Sequence, residues 1–258
     1  IMKNLKYYFY KIMVNLTYGK TKEKFKFKKE KYKKIDNPEN ICFINCTGNN
    51  NIFDENIIKK YKIHLFIEGN NNEIVIGDGG KINDNLFIEI YGNNNKIYIG
   101  QCCKIAKCLF INIGCPHLNF TDDSIVKIGE NTDIVETNIM LLESFSNLNI
   151  GHSCMFSEQI HIRLSDTHSV LDLEGNLLNY GGNVNVGNGV WLGREVRICK
   201  NASIADNSIV GCNSIVTKRF DDPNVVIAGN PAQIVKRGVK WSGLSPQKYK
   251  EIVLLKNQ

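Results

Sequence analysis

From Tyr180 to Ile215 an aliphatic or aromatic residue returns at every sixth position: Tyr180, Val186, Leu192, Ile198, Ile204 and Val210. A small residue usually follows, as in Gly181, Gly187, Gly193, Ala205 and Gly211. Four places after each aliphatic stands a second small or branched residue, at Val184, Val190, Val196, Ala202, Ser208 and Ser214. A period of six fits neither an amphipathic helix nor a half-buried alternating strand. It predicts short strands joined by tight corners, three to a turn, with the inward aliphatics stacked into one column. That is an all-β chain wound as a parallel β-helix. The same rhythm runs through Ile76, Ile82 and Ile88, through Ile99, Ile105 and Ile111, and through Ile150, Phe156 and Ile162.

Between the first two of these sets the chain repeats at an offset of 23, Ile67 to Gly77 matching Ile90 to Gly100. Three hexads make 18 residues, so five extra residues per coil gather at one corner. This stacks Asn70 to Asn72 beneath Asn93 to Asn95, with Asn49 to Asn51 on the coil before. Asn tolerates positive φ and its amide can bond along a stack, so backbone need accounts for these runs without a ligand.

The rhythm breaks once in the second half, from Ser165 to Tyr180. A solenoid has little concave surface unless a loop makes some, so an insertion with polar residues is where chemistry is expected. This one contains His168 between Asp166 and Asp172. Histidine can take and return a proton near neutral pH, which makes His168 the candidate general base, with Asp166, Asp172 or Glu158 as the carboxylate that orients it. His64, His117, His152 and His161 read as ordinary polar residues of the coil.

The 258 residues suit one elongated domain with small additions, and a hydrophobic content of 43% suits a packed core. The formal charge of +6 belongs to residues 1–40, where 12 Lys face 4 acids. Ile1, Leu5, Tyr8, Phe9, Ile12, Met13 and Leu16 are spaced for one helix face there, and Lys residues interrupt every apolar run. The pattern therefore predicts neither a signal peptide nor a spanning helix. Two readings fit: a cap across the end of the β-helix, or a basic element resting through residues 1–34 on an anionic membrane. No recognised nucleic-acid module accompanies it, so no nucleic-acid partner is expected. Nine Cys in an odd count, with no secretory leader, point to free thiols and a cytoplasmic chain, peripheral to the inner membrane at most. The spacing of Cys102, Cys103 and Cys108 does not give a zinc site, so no metal is expected.

Ordered along residues 150–241, these features resemble the hexapeptide-repeat acyltransferases, left-handed β-helix enzymes that use acetyl-CoA. The matching stretches are Val190-Trp-Leu-Gly-Arg194, Ile209 to Lys218, Ala228-Gly-Asn-Pro-Ala232 and Ile234-Val-Lys-Arg237. The loop Ser165-Asp-Thr-His168 and its spacing to Trp191 are most similar to the branch that O-acetylates sialic acid polymers and other bacterial surface glycans. Residues 40–150 match only in rhythm. The resemblance implies a left-handed coil over 41–242, with a basic segment at 1–40, the loop at 165–180 and a short C-terminal segment at 243–258. Ser245 before Pro246 reads as an N-cap there, starting a helix expected to fold back as a terminal cap.

The resemblance also implies direct transfer from acetyl-CoA to a glycan hydroxyl in a ternary complex, for which His168 is the candidate base, with Asp166 the nearest in sequence of its three candidate carboxylates. It places Trp191 beside the acceptor and the pantetheine arm. Cys212, Thr217 and Lys218 are implied for the arm and nucleotide, with Arg194 as an addition; Ala228 and Pro231 are implied for adenine, and Lys236 and Arg237 for phosphate. Gln233 stands where several relatives carry a basic residue, which moves phosphate contact toward Lys236. The family implies a homotrimer with sites between neighbours. Two rival activities share the coil: N-acetylation of an amino-sugar nucleotide, and zinc-dependent hydration in which His161 and His168, seven apart, would need a third His from a neighbour.

Overall fold

Three columns of parallel strands form the faces of a prism, and the inward aliphatics fill it. The computed structural model describes residues 43–82, 85–118 and 120–256. The chain divides into the units Ile1–Ile41 and Cys42–Gln258. The basic segment 1–40, with its cap and membrane readings, lies outside the described residues. Face A carries strands Phe43–Thr47, His64–Glu68, Leu86–Tyr91, Ile160–Arg163, Arg197–Ile198 and Ile215–Val216. Face B runs from Ile52–Phe53 through Lys96–Ile99 and Val184–Val186 to Arg219–Phe220. Face C stacks Met155–Phe156, Trp191–Leu192, Ile209–Val210 and Val225–Gly229. Two longer strands, Lys104–Ile113 and Asp133–Leu141, turn the corner from C to A. The fold is the left-handed parallel β-helix that the resemblance implies, wound against the usual hand of parallel crossovers.

The six-residue rhythm reports the core directly. Val186, Leu192, Ile204 and Val210 are wholly buried, as are Val190, Val196, Ser208 and Ser214 at the second set of positions. Each aliphatic enclosed this way is worth about 1.5–3 kcal/mol relative to exposure. Tyr180 departs from the expectation: it is 68% exposed at the exit of the loop, so the second run of the column begins at Val184 and Val186.

Corners follow from backbone conformation. At the A-to-B corner Asn50, Asn71, Asn94 and Asp123 all take φ near +57°, and at the B-to-C corner Cys102, Asn131, Ser153, Asn207 and Asn224 do the same. Asn and Asp populate that region most readily among residues with a side chain, which explains the Asn-rich composition. The stacked Asn runs occur as expected. The Asn70 backbone N–H and side-chain Nδ2 donate to Asn93 Oδ1 at 2.9 and 3.0 Å, and Asn71 Nδ2 donates to Asn94 Oδ1 at 3.2 Å. The fully buried Asn72 donates to Asn51 Oδ1 and to the Gly92 carbonyl.

Two short helices complete the described chain. The first, α1 (Glu55–Lys60), replaces a face C strand in the first coil. Asp54 caps it by accepting from the Asn56 and Ile57 N–H groups, and it buries Ile58. The second, α2 (Pro246–Lys256), starts as expected at Ser245, whose Oγ accepts from the Lys248 N–H at 3.3 Å. Residues 246–252 are exposed, so this part of α2 does not fold back as the cap the sequence suggested.

Candidate active site

The insertion leaves face A after Leu164 and rejoins face B at Val184, so it projects from the A-to-B corner. Its outer part is a hairpin. Leu171 and Leu177 bridge antiparallel, Leu178 N–H donates to the Val170 carbonyl at 2.8 Å, and Asp172 Oδ1 accepts from the Asn176 N–H at 2.7 Å. His168 stands exposed on the approach to this hairpin.

The three candidate carboxylates are all engaged elsewhere. Asp166 Oδ2 lies 2.6 Å from Lys200 Nζ and 2.8 Å from Asn179 Nδ2. The Lys200 ammonium, ahead of the Asn179 amide, holds the Asp166 carboxyl below the usual carboxylate range. Asp172 serves the hairpin turn, and Glu158 binds Lys107 and Arg194 at the C-to-A corner, where Lys107 holds it below its ordinary value. The link from Asp166 to His168 is indirect: Asn179 Nδ2 also donates to the His168 carbonyl at 2.9 Å.

Trp191 lies on face C, half-buried, with its ring 6.0 Å from that of Trp241. Trp241, which the spacing gave no reason to single out, donates from Nε1 to the Gly189 carbonyl at 2.6 Å. The Trp191 Nε1–H is buried without a hydrogen-bond partner among the described residues. His168 precedes the face B strand Val184–Val186 and Trp191 follows it, so the width of one face separates them within a chain.

The expected cofactor residues fall into three groups. Arg194 and Cys212 are exposed at successive levels of the C-to-A corner, joined through the Asn213 N–H to Arg194 carbonyl bond, and Ala228 packs above Gly211. Thr217 and Lys218 sit at the A-to-B corner above the loop. Pro231 begins the return of the hairpin whose second strand, Ala232–Arg237, carries Lys236 and Arg237. An open hollow of about 480 Å³ lies at this end, lined by Lys218, Phe220, Gln233 and Arg237 among others. Lys218 bonds Gln233 and Arg237 pairs with Asp222, while Lys236 has no ion pair among the described residues.

Cys154 is buried at a corner with its thiol against the Gly187 carbonyl, and burial raises its pKa to about 11, so it serves as a small apolar group. Among the described residues no three His, Cys, Asp or Glu side chains cluster as a metal site, and no helix is long and apolar enough to cross a membrane.

Two solved structures share this architecture. One, the polysialic acid O-acetyltransferase OatWY, is 30% identical over 83% of this chain and 94% of that one, with a TM-score of 0.65. The other, the polySia-specific acetyltransferase NeuO, is 23% identical over 82% and 97%, with a TM-score of 0.50, a likeness of fold. No protein-family model and no curated protein matches the chain.

Proposed function

The chain belongs to the hexapeptide-repeat acyltransferases, and on that footing we propose that it transfers acetyl from acetyl-CoA to a hydroxyl of a bacterial surface glycan, a capsule or lipopolysaccharide, with sialic acid polymers as the first acceptor to test. The single observation behind the O-acetyl assignment is the 30% identity to a polysialic acid O-acetyltransferase across 94% of its length.

An alcohol is a poor nucleophile at neutral pH, so transfer needs a base. His168 takes the hydroxyl proton as the oxygen attacks the thioester carbonyl. The oxyanion collapses by breaking the carbon–sulfur bond, and His168 returns the proton to the thiolate. No acyl-enzyme forms. Trp191, with Trp241 against it, gives the acceptor and the pantetheine arm an apolar wall. Lys236, without an acidic partner among the described residues, is the cation best suited to the phosphates, with Lys218 and Arg237, which line the hollow, as further cations.

The working form in this proposal is a homotrimer. Val170, Leu171, Leu173, Leu177 and Leu178 are all exposed on the hairpin, Leu173 entirely. Such a cluster on a projecting loop suits burial against a neighbour. A neighbouring copy would also bring a Trp191 wall to His168, which its own chain holds a face away. Peripheral membrane contact through residues 1–34 belongs to the same proposal and predicts binding to anionic but not neutral vesicles.

The activity test follows acetyl-CoA consumption with sialylated polymers, free sialic acids and amino-sugar nucleotides. An alkali-labile ester product is expected; an alkali-stable amide would replace O-acetylation with N-acetylation. His168→Ala should lower kcat about 10²- to 10⁴-fold while acetyl-CoA binding stays near wild type. Retained turnover with lost acetyl-CoA affinity would overturn the role.

A further inference from the structure

We propose that Glu143, Lys200 and Asn179 are positioning residues for His168, acting as three successive ties that fix the loop; the proposal rests on His168 being the base. At the mouth, Glu143 Oε1 accepts from Ser165 Oγ at 2.5 Å and Oε2 accepts from the Gly181 N–H, so one carboxylate joins the residues entering and leaving the insertion. One step outward, Lys200 Nζ bonds Asp166 Oδ2 at 2.6 Å and the Asn179 carbonyl at 2.5 Å, again linking both arms. One step further, Asn179 Nδ2 donates to Asp166 Oδ2 and to the His168 carbonyl, and its Oδ1 accepts from the Val170 N–H at 2.8 Å.

Within one chain, apolar burial gives no alternative reason for the loop to hold its place. Leu164 and Val184 close the core on either side of the insertion, while the apolar side chains of the hairpin face outward. Polar ties therefore set where His168 stands. The Lys200 side chain is only 14% exposed, so its bonds to Asp166 and Asn179 are partly shielded from competing water. Asp166, one of the carboxylates expected on the imidazole, is held by the middle tie, Lys200, instead.

Misplacement of a catalytic group by about 1 Å can cost about 100-fold. Glu143→Ala and Lys200→Met should each lower kcat by about that factor, with KM for acetyl-CoA and Tm near wild type. Glu143→Gln should recover most of the loss, because an amide can accept from the Gly181 N–H and donate to Ser165 Oγ. Hydrogen exchange over residues 166–172 should speed up in the Ala variant and not in the Gln variant. Unchanged kcat in Glu143→Ala, alongside an inactive His168→Ala, would overturn the proposal, as would parallel falls in Tm and kcat. If His168→Ala stays active, the base assignment has failed instead, and the exchange measurement still tells whether the ties hold the loop.

Discussion

The coils before Ile150 and those after Val184 share one inward column but differ at their corners. In the early coils equivalent corner residues are 21, 23 and 29 apart; amide stacks at the A-to-B corner take up the first two surpluses, and the third includes an exposed stretch with His117, Leu118 and Phe120. In the late coils the spacing is 18, falling to 17 in the last, and no residue is left over. The amide stacks themselves are internally satisfied: Asn95, wholly buried, donates to the Thr121 carbonyl and accepts from the Ser124 N–H, while the buried Thr121 Oγ1 beside it has no partner among the described residues. The late irregularity, the insertion at 165–180, is tied by polar contacts at its base but projects from the prism. It exposes an imidazole and a set of leucines.

Glycines sharpen this contrast most. A Cβ on Gly69 would lie 1.8 Å from the Gly92 carbonyl oxygen, at φ +148°, whereas one on Gly175 in the hairpin, at φ +88°, would meet nothing within 4 Å. Gly69→Ala should cost more than about 3 kcal/mol, and Gly175→Ala only the conformational cost of about 1–2 kcal/mol. Urea midpoints that fell equally in both would break the distinction.

Asn95→Ala comes next. It strands a buried carbonyl and a buried N–H and should lower stability by about 2–3 kcal/mol with kcat unchanged. A loss of activity without a loss of stability would give the amide stack a role in catalysis.

The smallest effect concerns acid. The Asp166 carboxyl is held low by Lys200, so its contribution to loop order is complete above its ordinary value and disappears as pH falls through the lowered one. Loop hydrogen exchange should stay slow at pH 4 and accelerate only below it, and Asp166→Asn should remove that acid step.

Much of the fold was legible because a six-residue period leaves few alternatives, and Val186, Leu192, Ile198 and Ile204 all point inward as read. Tyr180 satisfied the period by coincidence, since counting cannot tell a core position from a loop exit. The insertion and His168 were legible as a break in rhythm. The groups that hold the loop were not: Glu143 lies 22 residues before Ser165 and Lys200 lies 21 after Asn179, on neighbouring coils. They become neighbours only through the winding, and neither has a local pattern that distinguishes it from any other charged corner residue. Trp241 likewise reaches Gly189 across 52 residues.

Asn70 and Asn93 are equivalent rungs, each donating toward the later coil and accepting from the earlier one. A column wired this way lengthens by complete repeats, because a partial one would bring no matching amide over the last rung. The elevation of the loop above the first coil is therefore a whole number of storeys, and the scaffold acts as a ruler with fixed graduations.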